Sequence, residues 1–352
     1  MYLGLDIGRQ YVKMVSVEKT KDGFKVLDAG TRLVPEPNST FDPEKIDRPH
    51  WVMAVRELFR QQGLNPKKVK TICTGISGAS ASIKQITTME MPSDELEAAM
   101  TFEARKHIPM DGTDAVIDFQ ILGSNQREVD KIDVGLVACT KGVLTSHMDL
   151  LKECGLKPGV VDTYPIAMSN AFTFIKTMPD DGLVVILDIG AVSSSLVVYG
   201  SGEQFFTRDL PIGGHHFVKE LSDRKEISYT EAQDVLYKDG LAASISNSTD
   251  APLTSVGIAE RTIYDNLVED LRRSLRFYAK QTGQSFFLKI FLSGGAAETP
   301  GLTEFVSSKL NIECDLFDPF ENVNGGENIS VNNKSQYTIA LGLGIRGGMA
   351  NE

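Results

Sequence analysis

Two aspartates lie in two similar strand–turn–strand segments of the sequence. Residues 2–17 read YLGLDIGRQYVKMVSV and residues 184–199 read VVILDIGAVSSSLVVY, so Asp6 and Asp188 each follow an apolar run and precede Ile-Gly. A carboxylate at a strand end can hold Mg²⁺ directly or through water, because Mg²⁺ keeps several waters and takes few protein ligands. The pattern therefore predicts a magnesium site formed by Asp6 and Asp188 in two facing hairpins.

The turns after these aspartates have the composition of phosphate-binding loops. A glycine directly after a strand lets backbone N–H groups approach and surround a phosphate, and serine hydroxyls can donate to its oxygens. We expect nucleotide contacts from these residues: Gly8, Arg9, Gln10, Tyr11 and Lys13 in the first turn and strand, and Gly190, Ser193 and Ser194 in the second. For Arg9 the sequence leaves two positions open, in the site or in solvent.

Two further glycine pairs extend this set. Residues 290–302 read IFLSGGAAETPGL, an apolar strand that runs into a glycine pair. Bare backbone at a strand end leaves room for a flat base or sugar, so Gly294, Gly295 and Ala296 predict an adenosine contact. Gly213 and Gly214 are expected near the ribose or a phosphate.

These segments require elements that bring them together. Each hairpin is an apolar run, a tight turn and a second alternating run, which is typical of two paired strands. The two copies are about half the chain apart. The repeat predicts an α/β protein with two similar lobes that face each other across a cleft. A long helix is predicted at about 259–282. Its residues Glu269, Arg272 and Arg273 are each open as an adenosine contact, and Arg273 is our candidate.

Composition narrows the class of protein. The chain has 352 residues, 41% hydrophobic and 24% charged, and a formal net charge of −11. This balance argues against nucleic acid as a partner, because the phosphate backbone would be repelled. No apolar run is long enough to span a bilayer, and the N-terminus does not read as a secretory signal. The four cysteines form no C-x-x-C pair, so we expect reduced thiols and no zinc site.

In their order along the chain, these motifs resemble the actin-like ATPase superfamily. The correspondence covers essentially the whole sequence: a first phosphate hairpin at 3–17, a connecting helix at 162–176, a second phosphate hairpin at 184–199, an adenosine segment at 290–307 and a second connecting helix at about 336–347. Lys13 has the same offset from Asp6 as the phosphate-contacting lysine of actin. The resemblance implies ATP and Mg²⁺ as cofactors.

A segment inserted in the first half resembles the FtsA-like branch of that superfamily. We expect the first lobe at 1–83 and 161–182, an α+β insertion at 84–160, and the second lobe at 183–352 with an outer subdomain at about 207–270. The insertion opens with the helix ELEAAMTFEARKHI, where Leu96, Met100 and Phe102 predict one apolar face. Two strands, AVIDFQILG and KIDVGLVACT, and a helix from Lys141 follow.

The amino-acid sequence of the insertion and of several segments around it resembles the PilM family of the type IV pilus alignment complex. The matching segments are EARKHIPMD, DFQILG, GLKPGVVDTYPIA, RDLPIGG and DLRRSLRFY. The resemblance implies a cytoplasmic protein that binds ATP between its lobes. It also implies a grip on the N-terminal tail of the membrane protein PilN, in a groove between the first lobe and the insertion. Through PilN the protein would reach PilO, the assembly motor and the inner face of the membrane. Phe102, Arg105 and Ile108 are our candidates for that grip.

The resemblance to actin-like proteins also bears on ATP hydrolysis and on the alternative functions. Chaperones and FtsA have a Glu-Pro pair at the start of the first connecting helix, where this chain has Tyr164-Pro165. Tyrosine is a poor base at neutral pH, and Asp162 is a weak candidate that the turn would have to re-aim. We therefore expect ATP binding with slow turnover at most. The alternatives are a filament-forming protein of the FtsA or MreB kind, for which self-association would count, and a small-molecule kinase.

Overall fold

The computed structural model describes residues 1–350 except 37–38, 78–79, 108–114, 126 and 246–260. The strands are β1 (Tyr2–Ile7), β2 (Tyr11–Thr20), β3 (Gly23–Leu33), β4 (Thr71–Ile76), β5 (Ala81–Met89), β6 (Ala115–Ser124), β7 (Lys131–Thr140), β8 (Val160–Thr163), β9 (Leu183–Ile189), β10 (Ser194–Tyr199), β11 (Phe206–Leu210), β12 (Phe287–Ser293) and β13 (Glu313–Leu316). The helices are α1 (Arg48–Gln61), α2 (Ser93–His107), α3 (Lys141–Glu153), α4 (Tyr164–Ile175), α5 (Gly214–Lys225), α6 (Tyr229–Asp239), α7 (Leu241–Ile245), α8 (Ile263–Thr282), α9 (Leu302–Leu310) and α10 (Thr338–Met349).

Two five-stranded sheets repeat one topology, as the paired motifs predict. The first sheet has the order β3-β2-β1-β4-β8 and the second the order β11-β10-β9-β12-β13. In each, three antiparallel strands are followed by two strands parallel to the first of them. Every residue of β9 is buried, which is why its sequence is a continuous apolar run rather than an alternating one. The two-lobed α/β architecture is confirmed.

The two connecting helices, α4 and α10, pack against each other between the sheets. Their apolar residues join both sheets in one core, which includes Val15, Phe172, Ile186 and Leu343. Small residues let the backbones approach closely: a Cβ on Gly342 would lie 1.8 Å from the carbonyl oxygen of Ala167. The lobes are therefore joined along a glycine-lined helix crossing that leaves no room for a larger side chain.

The inserted subdomain is a three-stranded antiparallel sheet, in the order β5-β7-β6, with α2 on one face. Its core pairs Leu96, Met100 and Ala104 of α2 with alternate residues of β7. The helix α3, which we expected within the insertion at 84–160, instead buries Leu150 and Leu151 in the core of the first lobe. The strand β5 was not predicted, and it begins before the expected boundary.

The predicted apolar face of α2 is wrong at one position. Met100 is fully buried, whereas Phe102 is 61% exposed. Successive helical residues are separated by about 100°, so Phe102 lies about 200° from Met100 and faces outward. The stripe that faces the sheet follows the i, i+4, i+8 spacing of Leu96, Met100 and Ala104. Among the helices of the described residues, none is both long enough and apolar enough to cross a membrane.

Candidate functional site

The first hairpin positions a buried ion pair at the end of β1. Asp6 and Lys13 are opposite each other in the β1–β2 register, and Lys13 Nζ lies 2.6 Å from Asp6 Oδ2. Only 3% of the Asp6 side chain and 15% of the Lys13 side chain is exposed. The other carboxylate oxygen, Asp6 Oδ1, is buried without a hydrogen-bond partner among the described residues. A buried carboxylate oxygen of this kind is suited to a cation or its water.

The turn between β1 and β2 is tight, and the Arg9 side chain points away from it. Gly8 N donates to Tyr11 O at 3.1 Å, and a Cβ on Gly8 would lie 2.6 Å from that oxygen. The Arg9 guanidinium lies 5.5 Å from the centroid of the Trp51 ring and donates to Pro43 O. Trp51 in turn donates to Gly8 O at 2.9 Å. The Arg9 side chain thus contacts α1 and the loop before it. Of its two expected positions, it takes the one that faces solvent.

The second hairpin repeats the arrangement with different side chains. Asp188 ends β9 with 8% of its surface exposed, and its Oδ2 accepts a hydrogen bond from Ser293 Oγ at 2.9 Å. Burial raises the pKa of Asp188 to about 6, and Asp6 adds to this, while Lys13 and Ser293 oppose it. Ala191 and Val192 of the second turn pack against the core of the first lobe, which places the two hairpins side by side.

The serines of the second turn are not equivalent. Gly190 N donates to Ser193 O at 3.0 Å, which closes the turn. Ser194 is buried and its hydroxyl donates to Ile212 O at 2.6 Å, because alternate residues of β10 point to opposite faces. Ser193 is exposed. Within the described residues, the Ser193 hydroxyl is therefore available to a phosphate, whereas the Ser194 hydroxyl is bonded to Ile212 O.

Backbone groups of α5 and of the segment after β12 hydrogen-bond to the second turn. Gly214 N donates to Gly190 O at 2.9 Å, and Ala296 N donates to Ile189 O at 3.1 Å. A Cβ on Gly213 would lie 2.7 Å from Ser193 N, and Gly294 has φ +90° and no room for a Cβ beside Ile189 O. The glycines at these positions are therefore required for the hairpin, α5 and the turn after β12 to meet.

A pocket opens where these segments meet α6. Its lining combines Gln10 of the first turn with residues of the second lobe: Gly190, Ala191, Gly214, Phe217, Val218, Tyr229, Gln233, Leu236, Tyr237, Gly295, Ala296 and Thr299. Gln233 Nε2 donates to Tyr237 OH at 3.1 Å. The lining offers backbone groups, apolar side chains and an amide of the kinds that contact a nucleoside. Gln233 and Tyr237 were not predicted, since α6 carries no motif and only its position after α5 brings it to the pocket.

Two predicted residues lie away from this pocket. The Arg273 side chain is 63% exposed and pairs with Asp270 at 3.2 Å on its own helix. Asp162 lies at the end of β8. Its Oδ1 accepts a hydrogen bond from Thr163 N at 2.7 Å, and its Oδ2 lies 3.7 Å from Arg346 Nε. Strands are about 4.8 Å apart, so β8 is about 10 Å from β1. The structure therefore does not bring Arg273 or Asp162 to the pocket lined by the two turns, and their roles stay predictions.

Tyr164 lies beside the end of β1, next to Asp6. Its hydroxyl donates to Ile7 O at 3.3 Å, and its ring lies over Gly75, where a Cβ would be 2.9 Å away. Burial, followed by the charges of Asp6 and Asp188, raises the pKa of Tyr164 well above its ordinary value. At neutral pH this group is protonated and can only donate or accept a hydrogen bond.

Comparison with known proteins agrees with the geometry. A family model described as "Type IV pilus assembly protein PilM" matches residues 4–348. The chain belongs to the PilM family. A solved structure titled "PilM-PilN type IV pilus biogenesis complex" is similar with a TM-score of 0.78 and 23% identity, and covers 98% of each chain. The ethanolamine utilization protein EutJ of Carboxydothermus hydrogenoformans shares the fold with a TM-score of 0.52 and 15% identity over 98% of this chain and 89% of EutJ.

Curated relatives of this PilM-family chain include cell division proteins. It is 21% identical to FtsA of Staphylococcus epidermidis (strain ATCC 12228 / FDA PCI 1200) over 90% of the chain and 74% of FtsA. It is 22% identical to FtsA of Bacillus subtilis (strain 168) over 88% and 77%, respectively. These likenesses agree with the actin-like fold and the FtsA-type insertion, and the protein is a type IV pilus assembly protein of the PilM family.

The predicted partner residues of this PilM-family protein lie on the outer side of the insertion. Phe102 and Arg105 are exposed on α2, on the side away from its sheet. Ile108 lies outside the described residues. The opposite face of the sheet is the one turned to the lobes, since Gln85 of β5 accepts from Phe205 N at 2.8 Å. Phe102 and Arg105 therefore lie on the side of the insertion opposite to this contact with the second lobe.

Proposed function

We propose that this protein is an ATP-binding scaffold of the type IV pilus machinery that grips the N-terminal tail of PilN. The observation that carries the nucleotide part is the pair of buried carboxylates, Asp6 and Asp188, at the ends of two equivalent strands. Beside them lie the turn at Gly190 and the pocket at Gln233. Phosphates would lie against the two turns and the nucleoside in the pocket.

The residues at the strand ends fit a magnesium ion. Asp6 Oδ1 has no other partner among the described residues, and Asp188 keeps one oxygen that Ser293 does not use. Asp6 and Asp188 would hold the ion directly or through water, and it would neutralise phosphate charge. Lys13, held at Asp6, adds a cation beside the first turn. Gly8, Gln10, Tyr11, Gly190, Ser193, Gly213, Gly214, Gly294, Gly295 and Ala296 remain our proposed nucleotide contacts.

We expect slow ATP turnover. General-base catalysis needs a group that can accept a proton near the attacking water. Tyr164 is beside the aspartates but is protonated at neutral pH, and Asp162 is tied to Arg346 and Thr163. Nucleotide would then act chiefly as a ligand that stabilises the closed lobes.

The proposed tail site is the face of the inserted sheet that α2 leaves uncovered. Ile83 and Asp118 both lie opposite Val137 in the strand register, so all three side chains share this face. Ile83 and Val137 are half-buried, and Asp118 is exposed. We propose that this face is the one that borders the first lobe; Gln85 on the same face contacts Phe205. The support for PilN is the similar structure, whose title names a PilM-PilN complex.

Contacts from the insertion to the second lobe offer a route between nucleotide and tail. Gln85 accepts a hydrogen bond from Phe205 N, and Arg127 pairs with Glu203 at 3.0 Å. The insertion is therefore attached to the first lobe through the chain and to the second lobe through these contacts. A change in the angle between the lobes would shift the insertion, and with it the tail site.

The experiment is calorimetric titration of the full chain with a peptide of the PilN N-terminal tail. Ile83→Glu places a charge on the proposed site and should remove saturable binding. Phe102→Glu, an exposed apolar position on α2, is the matched control and should bind as the unchanged protein does. Loss of binding in Phe102→Glu with retention in Ile83→Glu would refute this tail site. We further propose that PilN links the protein to PilO, the assembly motor and the inner face of the membrane.

A further inference from the structure

The two lobes touch each other at a second place, away from the crossing of α4 and α10. That crossing packs on one face of the first sheet, where Tyr2 points. Leu3 points to the other face, because side chains alternate along a strand. On this other face, Ala191, Val192 and Tyr229 of the second lobe pack against the core of the first lobe. The lobes are therefore held together on both faces of the first sheet.

The loop before α1 supplies an aromatic contact between the lobes at this second place. Phe41 is 5% exposed in the first-lobe core, and its ring meets the ring of His215 on α5 edge-on, with the centroids 5.6 Å apart. Two residues later, Pro43 O accepts a hydrogen bond from Arg9 Nη1 at 3.2 Å. Residues 39–47, which we call the crossing loop, thus join the turn between β1 and β2 to the second lobe.

His215 connects the crossing loop with the wall of the pocket. Its Nδ1 lies 3.1 Å from Tyr229 OH, and the centroids of the two rings are 5.4 Å apart. Burial raises the pKa of Tyr229, so its hydroxyl stays protonated and can donate a hydrogen bond to Nδ1 of a neutral imidazole. Tyr229 itself lines the pocket. Phe41, His215 and Tyr229 therefore form a row of three rings that leads from the first lobe to the proposed nucleoside pocket.

The pocket is closed between the two lobes. Its volume is about 40 Å³, room for about three waters at roughly 10–15 Å³ each, whereas pockets for small molecules have about 300–1,000 Å³. Gln10 of the first lobe lines one side, and Phe217 and Leu236 on the other side belong to the core of the second lobe. Core side chains of this kind cannot retreat, so a nucleotide can enter only when the turn between β1 and β2 moves away from α5 and α6.

We propose that Phe41 is a latch: its contact with His215 holds the cleft closed, and the release of this contact sets the rate at which nucleotide enters and leaves. The inference rests on the nucleotide site proposed above. Opening on this side parts Phe41 from His215 and, through Pro43 and Arg9, draws the turn between β1 and β2 away from the pocket. The α4–α10 crossing on the other face stays packed and acts as the hinge. The latch closes again behind the nucleotide, so it governs the rates of exchange much more than the affinity.

Stopped-flow release of a fluorescent ATP analogue from the full chain, chased with unlabelled Mg-ATP, tests the latch. Phe41→Leu keeps an apolar side chain in the first-lobe core and removes the ring from His215. The loss of an edge-on aromatic pair should speed both release and association by roughly three- to tenfold, with the equilibrium affinity nearly unchanged. Phe59→Leu, at a position that is also 5% exposed in the same core, is the matched control and should release at the unchanged rate.

Hydrogen exchange of the nucleotide-free chain gives a second measurement, one that needs no bound nucleotide. Backbone amides that exchange when the lobes open should exchange faster once the latch is weakened. We expect faster exchange in α5, which lies on the other lobe from both substitutions, in Phe41→Leu and not in Phe59→Leu. Equal exchange of α5 in the two variants would overturn the latch.

Four further results would count against the latch. An unchanged release rate in Phe41→Leu, with the analogue bound, would overturn it and leave the nucleotide site standing. Faster release in Phe59→Leu as well would ascribe the effect to a loosened core and would also overturn it. An affinity that falls as release quickens, at an unchanged association rate, would make Phe41 a positioning residue of the site instead. No binding of the analogue by the unchanged chain would refute the nucleotide site itself, together with the latch.

Discussion

Asp188→Asn should stabilise the nucleotide-free protein although it destroys the proposed magnesium site. The asparagine oxygen can still accept from Ser293 Oγ, which lies 2.9 Å from the carboxylate. What the change removes is a buried negative charge. Burial raises the pKa of Asp188 from 3.8 to about 6, and each tenfold change in proton affinity corresponds to about 1.4 kcal/mol. The charge therefore costs the folded state about 3 kcal/mol above pH 6.

The pH dependence has a definite sign. The folded carboxyl group keeps its proton to a higher pH than the unfolded one, so this group favours folding fully below pH 3.8 and loses that contribution as the pH rises to about 6. The advantage of Asp188→Asn should accordingly be near zero at low pH and grow between these values. Urea unfolding of both proteins across this range, without nucleotide or divalent metal, measures it.

A matched control uses the other aspartate. Asp6→Asn removes the negative charge that lies 2.6 Å from Lys13 Nζ, and the buried positive charge left without a counter-charge should destabilise the protein by about 1–3 kcal/mol. Mg-ATP at a hundred times its dissociation constant should stabilise the unchanged protein by about 2.7 kcal/mol and neither variant. An Asp188→Asn protein that is less stable than the unchanged one at pH 8, or a difference that does not vary with pH, would refute this reasoning.

Three other perturbations test separate parts of the structure. Gly342→Ala places a Cβ 1.8 Å from the Ala167 carbonyl oxygen and should cost about 3 kcal/mol or more in urea unfolding, whereas Gly142→Ala in α3, with only ordinary contacts, should stabilise by about 0.5–1 kcal/mol; equal effects would contradict the tight helix crossing. Tyr164→Phe should leave slow ATP turnover unchanged in a phosphate-release assay, and a large loss would assign Tyr164 a catalytic role. Arg127→Ala should keep tail binding but reduce its dependence on nucleotide, as measured by calorimetry, and unaltered dependence would argue against this contact as the route.

The sequence allowed prediction of the motifs that lie on strands and of little that lies on helices. Asp6 and Asp188 lie near the ends of buried strands whose apolar runs are visible in the sequence, and a magnesium site shared by them stays a prediction. Ser194 could not be distinguished from Ser193 because the direction of a strand side chain depends on register, and here Ser194 bonds Ile212 O. Arg9 is turned outward by Trp51, which is 42 positions away and matches no local pattern.

The remaining discrepancies have physical causes of the same kind. Gln233 reaches the pocket only because α5 and α6 fold back on the second sheet, which no local signal predicts. Phe102 is apolar but out of phase with Leu96 and Met100, so its hydrophobicity alone was misleading. Asp162 forms an ion pair with Arg346, which lies on α10, far along the chain. Contacts of this kind between distant segments determine which polar residues are free to act.

The most direct test of the account is the affinity of the full chain for a PilN tail peptide, titrated by calorimetry with and without Mg-ATP. Linkage requires that nucleotide and tail change each other's affinity by the same factor, so nucleotide should also be titrated with and without the peptide. We predict saturable tail binding that shifts by about fivefold or more with Mg-ATP, an equal shift in the reverse titration, and no shift in Asp188→Asn. Tail affinity that is identical in both conditions, with nucleotide binding demonstrated, would contradict the proposed nucleotide-sensitive scaffold.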